Sequence, residues 1–139
     1  MADYINTGVF LRTLYDELRY NMETQLKAKG YHDISPSHGW IFYHTEESGS
    51  RITDLAAKAK ITKQSMSVLV AQLETGGYVK KTPDTNDKRA WLLMLTAKGK
   101  KVKTAGQQIN YAFEEHWKSK LGEEDYDRLR QLLKRLCEE

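Results

Sequence analysis

Two closely spaced short helices are the feature that most constrains the fold of this chain. The second of them carries apolar side chains at helical spacing, namely Met66, Leu69, Val70 and Leu73. This pattern predicts the buried stripe of a helix over 63–75, for which Thr62 is a suitable N-cap. A brief helix over 54–59, with Thr53 as its N-cap, precedes it. Since only residues 60–62 separate the two, the sequence predicts a helix-turn-helix.

A β-hairpin is predicted directly after the second helix. The segments Tyr78–Thr82 and Arg89–Leu95 are rich in the aromatic and aliphatic residues that favour strands. The polar stretch 83–88 lies between them, and we expect it to project as a loop with no buried turn. A helix-turn-helix followed by a two-stranded wing is the winged-helix arrangement.

Amphipathic helices flank this core on both sides. A first helix is predicted from apolar residues spaced three and four apart: Leu11, Leu14, Leu18, Met22 and Leu26. A short helix follows Pro36, a long one runs from Thr96 towards Leu121, and a last one begins after Gly122. The predicted fold class is therefore mainly α with a minor β component, a winged helix-turn-helix with flanking dimerisation helices.

The 139 residues are predicted to form a single domain. Residues 35–99 would be the winged-helix core, and residues 1–30 and 100–139 the dimerisation helices. These helices carry more apolar surface than a winged helix can cover, and pairing of two chains would bury it. In the alternative, the chain is a monomer whose terminal helices pack on their own core.

Charge is strongly segregated along the chain. Residues 51–103 carry a net charge of +8, whereas residues 1–50 carry −3 and residues 104–139 carry −2. A basic segment between two mildly acidic ones is typical of a surface that binds a polyanion such as nucleic acid. The alternative is a solvated, lysine-rich surface.

Sequence motifs of enzymes are absent. The chain has no glycine-rich phosphate loop, G-x-S-x-G, C-x-x-C or H-E-x-x-H, so we predict no catalytic residue, no cofactor and no metal ligand. No apolar run approaches the roughly 20 residues that span a bilayer, so a cytoplasmic protein without membrane contact is expected. A metal- or oxidant-responsive role stays open as an alternative, with these residues as the possible sensors: His32, His38, His44, His116 and Cys137.

The hairpin carries the most specific motif of the chain. Asp87-Lys88-Arg89-Ala90 is followed by Leu95-Thr96-Ala97-Lys98-Gly99. This resembles the wing signature of the MarR (multiple antibiotic resistance regulator) family of bacterial transcription factors, an Asp-x-Arg tip that leads into Leu-Thr-x-x-Gly. The placement of the helices is similar to that family along nearly the whole chain.

The resemblance implies a symmetric homodimer that binds double-stranded DNA at a pseudo-palindromic operator. It assigns major-groove contacts to the start of the second helix: Thr62, Lys63, Gln64, Ser65 and Ser67. Arg89 would enter the minor groove and Asp87 would orient it. A planar, always charged donor on a projecting loop suits a narrow groove of negative potential. The alternative role for Arg89 is a surface salt bridge with Asp87.

Two positions on the outward face of the second helix depart from the pattern of the family, and Trp91 on the wing is a further departure. Val68 and Ala71 project outward where many members carry arginine, lysine or another polar residue. Val68 would either contact a thymine methyl group or weaken base readout. In the second case, affinity would depend more on phosphate contacts from four cations: Lys63, Lys80, Lys88 and Arg89.

The resemblance further implies a small aromatic effector that binds between the dimer helices and the winged helix. Aromatic side chains available for such a cleft are Tyr15, Trp40, Phe42, Tyr43 and Tyr111. The predicted function is a sequence-specific transcriptional regulator, a repressor that the effector releases from DNA. The alternative function is a non-enzymatic winged-helix module that contacts protein or RNA.

Overall fold

The computed structural model describes residues 3–138 of the chain. Its elements follow in the order α1 Thr7–Ala28, α2 Pro36–His44, β1 Ser50–Arg51, α3 Ile52–Ala59, α4 Lys63–Thr75, β2 Val79–Pro83, β3 Trp91–Leu95, α5 Ala97–Leu121 and α6 Glu123–Cys137. The prediction of a mainly α winged helix-turn-helix with a minor β component is confirmed. Residues 1, 2 and 139, at the ends of the predicted dimerisation segments, lie outside the described residues.

The helix-turn-helix forms as its capping and apolar patterns predict. The Thr62 hydroxyl oxygen accepts the backbone N–H of Ser65 at 3.0 Å, and such a cap is worth about 1 kcal/mol to a helix. In the turn, Lys60 adopts the left-handed conformation with φ of 57°, which ends α3 and reverses the chain. The prediction that Thr53 caps α3 is wrong, because Arg51 occupies the N-cap position. The chain passes directly from β1 into α3, so the helix begins at Ile52.

The wing consists of β2 and β3, which pair antiparallel from Val79↔Leu95 to Pro83↔Trp91. Residues 84–90, here called the wing tip, connect the two strands. The predicted start of the second strand at Arg89 is wrong, because residues 89 and 90 belong to the tip. A further strand that the sequence does not reveal, β1, pairs with β3 on its other side and gives the sheet order β1-β3-β2.

The hydrophobic core lies between the helix-turn-helix, α2 and the sheet. Helix α4 contributes the stripe that its spacing predicts, since Met66, Val70 and Leu73 are buried and Leu69 is partly buried. Tyr78, between α4 and β2, is the largest fully buried side chain, and its hydroxyl donates to Oδ1 of Asp33. Burial raises the pKa of Tyr78 above its usual value, and this hydrogen bond raises it further by a smaller amount.

The Leu-Thr-x-x-Gly part of the wing motif joins β3 to α5. Thr96 caps α5 by accepting the backbone N–H of Gly99 at 3.1 Å, and its hydroxyl donates to the carbonyl oxygen of Gly77 at 2.6 Å. A Cβ atom on Gly99 would clash with the backbone carbonyl oxygen of Tyr78. Glycine is therefore required where the start of α5 crosses the root of the wing.

The terminal helices leave much apolar surface uncovered. Helices α1 and α5 pack against each other, and α6 packs on α5. Large apolar side chains nevertheless stay exposed on the outer parts of these helices: Val9, Phe10, Leu11, Leu14, Leu121, Leu132, Leu133 and Leu136. Within residues 3–138, no helix combines the length and the apolar character needed to cross a membrane.

Candidate nucleic-acid interface

The start of α4 presents the side chains that the sequence assigns to the major groove. Lys63, Gln64 and Ser65 are exposed, and Ser67 is partly exposed. Thr62 is also exposed, but its hydroxyl serves the helix: it caps α4 and donates to Oγ of Ser65 at 2.9 Å. The buried stripe of α4 lies on the opposite side, so this polar face is free of core contacts.

Helix α4 is held in place through a buried histidine on α2. Nδ1 of His38 accepts the backbone N–H of Ser35 at 2.8 Å, so the ring proton lies on Nε2. Nε2 then donates to Oε1 of Gln72 on α4 at 2.9 Å. Both ring nitrogens are therefore engaged in fixing α2 against α4. Among residues 3–138, no group of three or more His, Cys, Asp or Glu side chains is placed to hold a metal ion.

The wing tip is organised by Asp84. Its Oδ1 accepts the backbone N–H of Asn86 at 2.9 Å, and its Oδ2 accepts from Nη2 of Arg51 at 2.8 Å. These hydrogen bonds lower the pKa of the Asp84 carboxyl, and the one from Asn86 has the largest effect. The carboxyl therefore stays ionised at neutral pH. Asp84 is only 7% exposed, so the base of the tip is buried, which the sequence does not predict. Residues 85, 86, 88 and 89 are exposed, in agreement with the prediction of a projecting loop.

Sequence reasoning misses the pair formed by Arg51 and Asp84. The two residues are 33 positions apart and belong to β1 and the wing, so no local spacing links them. The only local signal is the Asp-x-Asn sequence at 84–86, which is typical of an aspartate that accepts a backbone N–H two residues on. The pair fixes the wing to the start of α3.

Asp87 shapes the backbone at the end of the tip. Its Oδ1 accepts the backbone N–H of Arg89 at 3.0 Å, and its carbonyl oxygen accepts the N–H of Ala90. Asp87 thus acts on the main chain of Arg89. Among the described residues, the guanidinium group of Arg89 forms no salt bridge, and its side chain is exposed. Within residues 3–138 there is therefore no surface salt bridge between Arg89 and Asp87, the alternative role for Arg89.

The lysine side chains of the basic segment differ in whether they form a salt bridge or a hydrogen bond within the chain. Lys63, Lys80 and Lys88 are exposed and, within residues 3–138, have no carboxylate partner within 4 Å. Lys81 instead pairs with Glu74 at 3.3 Å. Lys98 donates to the carbonyl oxygen of Gly76 at 2.7 Å and lies over the ring of Tyr78. Free cations therefore occur at the start of α4 and in the wing. Within residues 3–138, four lysines on α3, in the turn after it and on α5 are likewise exposed without a salt bridge: Lys58, Lys60, Lys100 and Lys101.

The five aromatic residues of the predicted effector cleft are placed differently from one another. Tyr15 on α1, Trp40 and Tyr43 on α2, and Tyr111 on α5 are exposed. Phe42 is instead 5% exposed and packs edge-on against Tyr78 in the core. A shallow cavity of about 450 Å³ lies elsewhere on α1 and α5 and is lined by Asn21, Gln25, Lys29, Gln108, Ile109, Ala112, Phe113 and His116.

Comparison with known proteins finds a match to one family. A family model described as "MarR family" matches residues 32–90, which span α2, the helix-turn-helix and the wing up to its tip. Over residues 32–90 the chain is similar to the MarR family. The predicted resemblance to this family is thus confirmed. Thr96 and Gly99 of the wing signature have the structural roles described above.

Individual relatives extend the likeness beyond the matched region. The transcriptional regulator HosA of Escherichia coli O127:H6 is 29% identical over 81% of this chain and 86% of its own length. The MepR–DNA complex of S. aureus has a similar structure, with a TM-score of 0.77 and 22% identity over 96% of this chain and 98% of that one. The MarR family protein Rv2887 of Mycobacterium tuberculosis, in complex with salicylic acid, is also similar, with a TM-score of 0.73 and 21% identity over 98% and 99% of the two chains.

Proposed function

We propose that this chain is a member of the MarR family and a sequence-specific regulator of transcription that binds double-stranded DNA as a homodimer. The observation that carries the proposal is the free guanidinium of Arg89 at a wing tip held by Asp84 and Asp87. A planar cation in this position suits the narrow, electronegative minor groove, while a helix with polar side chains at its start suits the major groove. The DNA in the similar MepR structure supports the same ligand.

Homodimer formation follows from the uncovered terminal helices. Leu136 on α6 is 79% exposed, and Phe10 and Leu14 on α1 are exposed as well. Pairing of two chains would bury these exposed apolar side chains, which supports a homodimer. A twofold dimer would present two α4 helices to half-sites about 34 Å apart, one turn of DNA. Sedimentation should then give twice the 16.1 kDa mass of one chain.

Binding to a selected duplex tests the proposal directly. A dimer of the full chain should enrich a pseudo-palindrome from a pool of random duplexes, and its affinity should fall steeply with salt because phosphate contacts release counterions. No enrichment of any duplex would contradict the proposal and would favour a module that contacts protein or RNA.

Lys63→Ala should weaken binding to all duplexes by a similar factor. If Lys63 contacts a phosphate in each half-site, the slope of log K against log salt should decrease by about 0.9 for each phosphate that the variant no longer binds. Lys27→Ala is the matched control, since it removes the same charge from α1, outside the basic segment. Equal slopes for Lys63→Ala and the wild type would exclude the phosphate contact.

We further propose that the chain is a repressor released by a small aromatic acid. The salicylic acid complex of the similar Rv2887 supports this class of effector. An effector must bind better to a dimer whose α4 spacing does not match the operator, because only a difference in affinity shifts the population. The four exposed aromatic side chains proposed for contacts are Tyr15, Trp40, Tyr43 and Tyr111.

Titration of salicylate into the complex with the selected duplex should therefore release the DNA. Tyr43→Ala should raise the concentration needed for release by about tenfold, as expected when an aromatic interaction worth ~1.5 kcal/mol is removed. Its DNA affinity without salicylate should stay unchanged. A complex that persists at saturating salicylate would contradict this effector class.

A further inference from the structure

An exposed apolar strip lies in the middle of the outward face of α4. Val68 is 58% exposed, and Ala71 follows three residues later on the same side of the helix. The opposite face of α4 already supplies the core with Met66, Val70 and Leu73. Within residues 3–138, Val68 therefore has no packing role that accounts for it.

The same face of α4 is poor in charge. Between Lys63 at its first position and Glu74 near its end, the helix carries no charged residue. Glu74 is paired with Lys81 at 3.3 Å. Beyond Lys63, the face thus lacks the arginine or lysine that most commonly binds O6 and N7 of guanine. Its polar side chains one helical turn from Val68 are those of Gln64, Ser65 and Gln72, and Gln72 is bonded to His38.

From this composition we infer that Val68 is a specificity-determining residue that reads the C5-methyl group of a thymine in each half-site. Gln64, one turn earlier, reads a nearby adenine through its N6 and N7 atoms. The inference rests on the proposed DNA-binding function and deepens it. It specifies that the centre of α4 selects A·T base pairs.

The chemistry of the major groove supports this assignment. The thymine methyl group is the one apolar feature on the edges of the base pairs there, and a carboxamide is the side chain that fits adenine. A guanine or cytosine facing Val68 would lose water from its polar groups without gaining a hydrogen bond, which is unfavourable. Gln64 and Val68 lie about 6 Å apart along the helix, so they reach base pairs within two steps of each other.

Replacement of thymine by uracil tests the inference with a single methyl group. The probe is the duplex selected from the random pool, in which each half-site thymine is replaced in turn by deoxyuridine, leaving base pairing intact. At one position, wild-type affinity should fall by about fourfold per half-site, the value of one buried methyl group. Val68→Ala should bind the thymine and uracil duplexes with nearly equal affinity. Uracil placed outside the half-sites is the control and should have no effect.

The outcomes separate this inference from the proposed function. Tight binding with no sensitivity to uracil at any half-site position would overturn the role of Val68 and leave DNA binding standing. Unchanged uracil sensitivity in Val68→Ala would also overturn it, because another residue would then contact the methyl group. Failure to select any duplex would remove the proposed function itself. Val68 is an exposed helical residue, so its replacement by alanine should leave the unfolding temperature nearly unchanged.

Discussion

Arg89→Ala should lower the affinity for the selected duplex by about 30-fold or more, since removal of one specific arginine interaction costs ~1–3 kcal/mol and the dimer has two wings. The side chain is exposed and forms no salt bridge among residues 3–138. Its removal should therefore change neither the sedimentation mass nor the unfolding temperature. Electrophoretic mobility shift at constant salt measures the effect.

Arg89→Lys is the matched control for the charge of this side chain. Lysine keeps one positive charge but lacks the planar group with five donors that enters a narrow groove. Its affinity should lie between those of the wild type and Arg89→Ala, with a salt dependence closer to the wild type. Wild-type affinity in Arg89→Ala would mean that the wing tip does not contact DNA.

Gly99→Ala should lower the free energy of unfolding by about 1–3 kcal/mol, as expected for a methyl group forced into occupied space. Its Cβ would meet the backbone carbonyl oxygen of Tyr78, which cannot move aside as a flexible side chain could. The effect should appear although alanine favours helices more than glycine does. Urea denaturation at a fixed protein concentration measures it, because the stability of a dimer depends on concentration.

Gly106→Ala provides the control within the same helix. A Cβ at position 106 would approach only the side chain of Met22, at 3.8 Å, which is an ordinary contact. This variant should gain up to about 1 kcal/mol from helix propensity. If Gly99→Ala were as stable as Gly106→Ala, the crossing of α5 over the wing root would not require glycine.

Local patterns predict the elements that bear the candidate site. The stripe of α4 and its Thr62 cap are visible because helical spacing and capping act within a few residues. The hairpin is visible because its two strands differ in composition from the polar stretch between them. The ends of its strands are predicted less accurately. The sequence pattern assigns Arg89 to the second strand, but Arg89 lies in the tip, and the strand begins only at Trp91.

Interactions between distant segments are what local patterns miss. Strand β1 has two residues, too few to show alternation, and it exists only because it pairs with β3 some 40 residues later. That pairing also moves the N-cap of α3 from the predicted Thr53 to Arg51. The ion pair of Arg51 with Asp84 depends on the same arrangement.

The amino-acid sequence alone determined the class of fold, the order of its helices and wing, and the identity of the exposed cations and of Arg89. Only the tertiary structure decided that Asp84 is buried against Arg51, that Phe42 belongs to the core, and that His38 joins α2 to α4. The physical reason is range: spacing and capping act over one or two helical turns, whereas burial and ion pairing depend on which distant segments the folded chain brings together.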